Sequence, residues 1–156
     1  MAKVALLIGV SEYEPGLNPL PAAVKDIEAL RRVLQDPEMG GFDQVKTLAN
    51  PDRQAMESEI ELLVDGRAKD DLVLLFFSGH GIKDDASTLY FASRNTRKNA
   101  KGDLIRSTAV AAIPNSECLF CTDRSVEICM CLAFPFQSTS PNLFSKMQTS
   151  SDLSSL

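Results

Sequence analysis

Leu72-Val73-Leu74-Leu75-Phe76-Phe77-Ser78-Gly79-His80-Gly81 decides the fold. Six consecutive apolar residues run straight into a short polar turn, and that turn holds the only histidine of the chain. An unbroken apolar run bounded by turn residues is the pattern of a strand covered on both faces, as in parallel sheets packed between helices. In open α/β sheets, catalytic and binding groups collect at the carboxyl ends of such strands. An isolated histidine at a strand end often does no more than bond to backbone. Here Gly79 and Gly81 flank it with residues that permit positive φ and close approach, and a rigid strand precedes it. Any histidine chemistry in this protein belongs to His80.

The flanking sequence agrees with an α/β class. Residues 3–10 (KVALLIGV) form a first buried strand, and Val24, Ile27, Leu30 and Leu34 recur at helical spacing, predicting a helix over residues 21–34 with Pro21 near its start. Gly40-Gly41 marks a turn and residues 45–48 a second strand. Asn50-Pro51-Asp52 predicts a helix start with Asn50 as N-cap and Pro51 in the first helical position; Met56, Ile60 and Leu63 give its buried face and Gly66 its end. The order β-α-β-α-β implies crossovers and a mainly parallel sheet flanked by helices. Beyond the histidine, Lys83-Asp84-Asp85 is expected as a solvated loop, residues 88–92 as a short strand and residues 94–103 as a mobile surface loop. Ser107 or Thr108 is expected to cap a third helix beginning Ala109-Val110-Ala111-Ala112.

With 156 residues the chain is one domain, or one domain and a tail. A formal net charge of −5 and the lack of a Lys/Arg cluster argue against a nucleic-acid partner. No apolar run approaches the roughly 18 residues of a membrane span, so no membrane partner is expected. The first residues lack signal-peptide organisation, which predicts a cytoplasmic location. The composition changes near Ala112: six of the last 44 residues are charged, against 31 of the first 112. Pro114 disfavours helix at the residue before it. The division expected is therefore residues 1–112 as the domain proper and residues 113–156 as a Cys/Ser-rich tail, partly disordered. All four cysteines (Cys118, Cys121, Cys129, Cys131) lie in that tail, and in a reducing compartment they do not read as a disulfide framework.

Ser78-Gly79-His80-Gly81 after an apolar strand resembles the histidine motif of the caspase family, most closely its metacaspase and bacterial branches. Residues 5–10 (ALLIGV), 20–26 (LPAAVKD), 71–81 (DLVLLFFSGHG), 88–90 (TLY) and 105–112 are similar in order to that family's first strand, first-helix entry, histidine strand, following strand and next helix. The resemblance implies a three-layer caspase-like sandwich, truncated, and a cysteine endopeptidase in which a thiolate attacks the scissile carbonyl while an imidazole manages protons. It implies His80 as general base, suited by an imidazole pKa near working pH, and the Gly81 N–H as an oxyanion donor, a contact worth about 3–4 kcal/mol in the transition state. From the metacaspase branch it implies Asp26 and Ser78 in the pocket for the residue before the cut, where a buried carboxylate selects Arg or Lys. The partner implied is a peptide or protein substrate, with no cofactor and no metal.

The Asp-Cys-Cys run that carries the family's nucleophile is absent. Cys129 and Cys131 lie 49 and 51 residues after His80, close to the roughly 50-residue separation expected, in Val126-Glu127-Ile128-Cys129-Met130-Cys131-Leu132, a segment compatible with a strand. Aligning on Cys131 makes it the candidate nucleophile, yet puts Cys129 at the family's Asp position and Leu132-Ala133-Phe134-Pro135 where a polar, glycine-containing turn belongs. Two alternatives stand beside it: four thiolates of a structural zinc site from Cys118, Cys121, Cys129 and Cys131, or a sequence after Ala112 foreign to the domain. The second makes the chain a catalytically dead caspase-like module that binds another caspase-like chain through a sheet edge. Lys83-Asp84-Asp85 supplies too few oxygens for a calcium site.

Overall fold

The computed structural model describes residues 1–112 in full and residues 127–133 as backbone. Strand β1 (Lys3–Gly9) is followed by helix α1 (Ala23–Gln35), strand β2 (Gln44–Ala49), helix α2 (Arg53–Val64) and strand β3 (Leu72–Ser78). Then come β4 (Gly81–Lys83), β5 (Leu89–Ala92), a 3-10 turn (Arg106–Thr108), β6 (Ala109–Ala111) and β7 (Glu127–Ala133). The first sheet has the order β2-β1-β3-β7, every pair parallel. The second, β4-β5-β6, is antiparallel.

Covering both faces of the parallel sheet explains why β1 and β3 need no polar alternation. Val4, Leu6 and Ile8 of β1, with Val73, Leu75 and Phe77 of β3, pack with Met56, Ile60 and Leu63 of α2. Ala5 and Leu7 face the other way, onto Ile27 and Leu34 of α1, with Leu74 and Phe76 beside them. The result is three layers, α1 over the sheet over α2. Leu7, Ile27, Met56, Val73 and Phe77 are all fully buried, each large side chain contributing about 1.5–3 kcal/mol of transfer free energy. The second sheet closes the α2 side: Phe91 of β5 stacks on Phe77 at 4.6 Å, and Val110 and Ala112 join the same core.

Local chemistry departs from expectation in four places. The N-cap of α2 is Asp52, whose Oδ1 accepts from the Ala55 N–H at 2.8 Å. Asn50 instead takes a left-handed conformation (φ 50°), tolerated best by Asn, Asp and Gly, and turns its side chain to the β1–α1 loop. The helix expected from Ala109 is strand β6, because β5 offers an unpaired edge: Ala109, Val110 and Ala111 pair with Ala92, Phe91 and Tyr90. The loop of residues 94–103 is tied down rather than loose. Thr96, fully buried, donates from its hydroxyl to the Thr108 carbonyl at 2.7 Å and accepts from the Ser93 N–H at 2.8 Å. Asp84 is not a solvated acid: its side chain is 7% exposed, pairs with Arg106 at 3.1 Å and accepts from the Ala86 and Thr88 N–H groups. The Gly66 expectation holds: it follows α2 with φ 66°. Among the described residues no helix is long and apolar enough to cross a membrane.

Candidate active site

The site is built at the carboxyl end of β3, where Ser78 ends the strand and His80 stands in the two-residue turn before β4. Two elements hold the His80 backbone. Its N–H donates to the Tyr13 hydroxyl at 2.9 Å, and its carbonyl accepts from the Ala92 N–H of β5 at 2.9 Å. The ring is fixed as well: Nε2 lies 2.8 Å from the Asn18 carbonyl oxygen. A carbonyl only accepts, so Nε2 carries a proton, and the neutral imidazole keeps its lone pair on Nδ1. Nδ1 is therefore the nitrogen available as a base.

Tyr13 and Asn18 sit in the loop between β1 and α1, and neither stands out in the linear sequence. They meet His80 across 67 and 62 residues of chain. The only local signal for Tyr13 was its place just past the carboxyl end of the first buried strand, where such sheets gather functional groups. The Tyr13 hydroxyl also donates to the Val10 carbonyl at 2.9 Å, and its ring lies against the imidazole with centroids 4.9 Å apart, tilted 56°. Burial pushes its phenol up to about 12, the bond to the His80 backbone opposing that in part. The loop is anchored by Asn50, whose Oδ1 accepts from the Ser11 N–H, the Ser11 hydroxyl and the Glu12 N–H.

The glycines flanking His80 serve differently from expectation. Neither Gly79 nor Gly81 has a positive φ. Gly79 is required for room: a Cβ there would lie 2.7 Å from Cζ of Phe77 and 2.9 Å from the Tyr13 hydroxyl oxygen. Gly81 is exposed and opens β4, opposite Phe91.

Asp26 and Ser78 are brought together across the layers. The Ser78 hydroxyl, 4% exposed at the end of β3, donates to Oδ2 of Asp26 on the first turns of α1 at 2.9 Å. The expected buried carboxylate is in fact exposed, while its serine partner is buried.

For Cys131 the structure gives the backbone register. In the β3–β7 register it pairs with Phe76, Cys129 pairs with Leu74, and the strand continues to Ala133 opposite Ser78. Cys131 is thus two register positions before the last pair of the ladder, Ser78 with Ala133. Cys118 and Cys121, and most of the tail, lie outside the described residues, so the four-thiolate arrangement does too. Among the described residues no group of three or more His, Cys, Asp or Glu side chains could hold a metal.

Comparison with known proteins agrees with this architecture. The family model described as the caspase domain of peptidase family C14 matches residues 2–120. No curated protein matches the chain. Among solved structures, that of a Geobacter sulfurreducens protein superposes with a TM-score of 0.65 at 17% identity, covering 86% of this chain. The match takes in 50% of that protein, so this chain spans about half its length.

Proposed function

The chain belongs to the caspase domain family, and from that premise we propose that it carries the histidine side of a cysteine endopeptidase site that accepts Arg or Lys before the scissile bond. The observation that carries this reading is the Ser78–Asp26 hydrogen bond at 2.9 Å, two residues ahead of His80. It ties an exposed carboxylate to the end of the strand that leads into His80, and that carboxylate is the proposed partner of a guanidinium or ammonium group on a bound peptide. His80, with Nε2 on the Asn18 carbonyl, is the general base through Nδ1. It takes the thiol proton as the thiolate attacks the carbonyl carbon, and returns it to the leaving amine. The Gly81 N–H is the proposed oxyanion donor, and Cys131 is the candidate nucleophile of this chain.

A second reading has its own observation. The β3–β7 register puts Cys131 beside Phe76 rather than at the carboxyl end of β7. In that reading the domain binds basic peptides, or another caspase-like chain, without cleaving.

One experiment tests the first reading and separates the two. Peptides ending in Arg or Lys before a fluorogenic leaving group are incubated with the wild-type protein, His80→Ala and Cys131→Ala. The peptidase reading expects turnover that falls about 10²- to 10⁴-fold in His80→Ala and disappears in Cys131→Ala. Equal turnover in all three would remove both residues from the mechanism. Wild-type binding of the peptide without turnover, and without alkylation of Cys131 by an Arg-terminated halomethylketone, would select the binding module.

A further inference from the structure

We propose that Tyr13 is a positioning residue for His80: its hydroxyl fixes the histidine main chain, so that the imidazole stays on the Asn18 carbonyl with Nδ1 as the basic nitrogen. The catalytic relevance of this role rests on the peptidase reading of His80; the geometry stands apart from it.

Three features converge on the Tyr13 oxygen. It accepts from the His80 N–H and donates to the Val10 carbonyl, both at 2.9 Å, so it uses donor and acceptor capacity at once. Val10 lies just past β1, and its own N–H is bonded to the Ser78 carbonyl at 2.9 Å. The hydroxyl therefore bridges the carboxyl ends of β1 and β3, the two strands that meet beneath the site. Gly79 leaves the space in which that oxygen sits, since a Cβ there would approach it to 2.9 Å. The loop is in turn held at both sides, by Asn50 at Ser11 and Glu12 and by Arg94, whose carbonyl accepts from the Glu14 N–H at 2.9 Å.

The ring and the hydroxyl have separable roles. The ring packs against the imidazole at 4.9 Å, and Tyr13→Phe keeps that packing. Only the bridge is lost, which leaves the His80 N–H and the Val10 carbonyl without this partner. A turn residue whose backbone N–H is released samples further rotamers, and the Nε2 contact with Asn18 is then made only part of the time.

Because the chain has a single histidine, NMR reads this position without ambiguity and without requiring turnover. On full-length labelled protein, three signals are followed: exchange of the His80 amide, the Nε2-bound proton, and the Hα–Hβ couplings that report the His80 rotamer. In the wild-type protein the amide is protected and the couplings describe one rotamer. Tyr13→Phe is expected to accelerate amide exchange roughly three- to tenfold, broaden the Nε2–H signal and move the couplings toward a rotamer average. Tyr90→Phe, which alters the other tyrosine, is expected to change none of these. A folded Tyr13→Phe protein with wild-type values of all three would overturn the proposal. If Tyr13→Phe does not fold, the wild-type signals decide: a His80 amide exchanging as fast as an exposed loop amide would equally overturn it. Absence of peptide turnover in the wild-type protein would overturn the peptidase reading and leave this proposal standing.

Discussion

Strand β3 has two neighbours, and the site is assembled differently on each. On the β1 flank Tyr13 and Asn18 hold His80, and Ser78 holds Asp26. On the β7 flank the backbone pairing is regular from Leu72 through Ser78, and it sets Cys131 in register with Phe76, two positions before the last pair. Both flanks obey the same parallel pairing. A catalytic group on a parallel sheet is delivered by the turn past the carboxyl end, and the β1 flank has such loops, tied by hydrogen bonds to β3. Pairing alone sets register; it does not build a site.

The comparison can be broken at its shared element first. Phe77 sits in β3 with no exposure, stacked on Phe91 and packed into the α2-side core. Phe77→Ala is expected to cost about 3–5 kcal/mol, measured as a shift in the denaturation midpoint, and to unsettle both flanks together. A loss well under that would mean β3 is not the common support.

Asn50→Ala addresses the β1 flank alone. It removes the acceptor of three hydrogen bonds and puts alanine where φ is 50°, a loss of about 1–3 kcal/mol. The amides of Ser11 and Glu12 are expected to lose protection while those of β7 do not. Equal changes on both flanks would dissolve the distinction.

A smaller effect lies in alkali. Tyr13 ionises in the folded state at about 12, against 10.0 unperturbed. A raised folded value means that this contribution is complete below pH 10 and is lost as the pH climbs toward 12. Wild-type stability should fall across that interval more steeply than that of Tyr13→Phe, followed by urea midpoints; parallel curves would contradict the burial of the phenol.

The smallest is in acid. Asp71 accepts from the N–H groups of Ala2 and Ala68, which hold its carboxyl below the usual range. A lowered folded value contributes stability above the unfolded pKa and loses it as pH falls through the folded one. Asp71→Asn should therefore flatten the acid limb of the stability curve, the start of β3 having lost its tie to the start of β1.

Much of the β1 flank was legible in the sequence. Unbroken apolar runs marked β1 and β3, helical spacing marked Ile27 and Leu34 of α1 and the Met56, Ile60, Leu63 face of α2, and the glycine-flanked histidine marked the turn. Where the sequence misled, the deciding interaction was non-local. Ala109-Val110-Ala111-Ala112 is too short for periodicity to separate helix from strand, and the open edge of β5 settles it as β6. Asn50 and Asp52 are both good caps. Only the pull of Ser11 and Glu12 on Asn50 gives the cap to Asp52. The loop of residues 94–103 looks mobile by composition, but the Ser93 and Thr96 side chains that bind it to Thr108 are buried. Tyr13 and Asn18 were invisible because their partner lies more than 60 residues away.

The proposal at the centre is that Asp26, held by Ser78, recognises a basic residue beside His80, whether or not a thiol follows. It is tested most directly by following the His80 imidazole signals while a peptide ending in Arg, and separately one ending in Asp, is added to the wild-type protein and to Asp26→Asn. The account predicts a saturable shift with the Arg peptide, none with the Asp peptide, and a response weakened by about tenfold or more in Asp26→Asn, as expected for a charge-assisted contact. An equal response to both peptides, or one indifferent to Asp26→Asn, would contradict it.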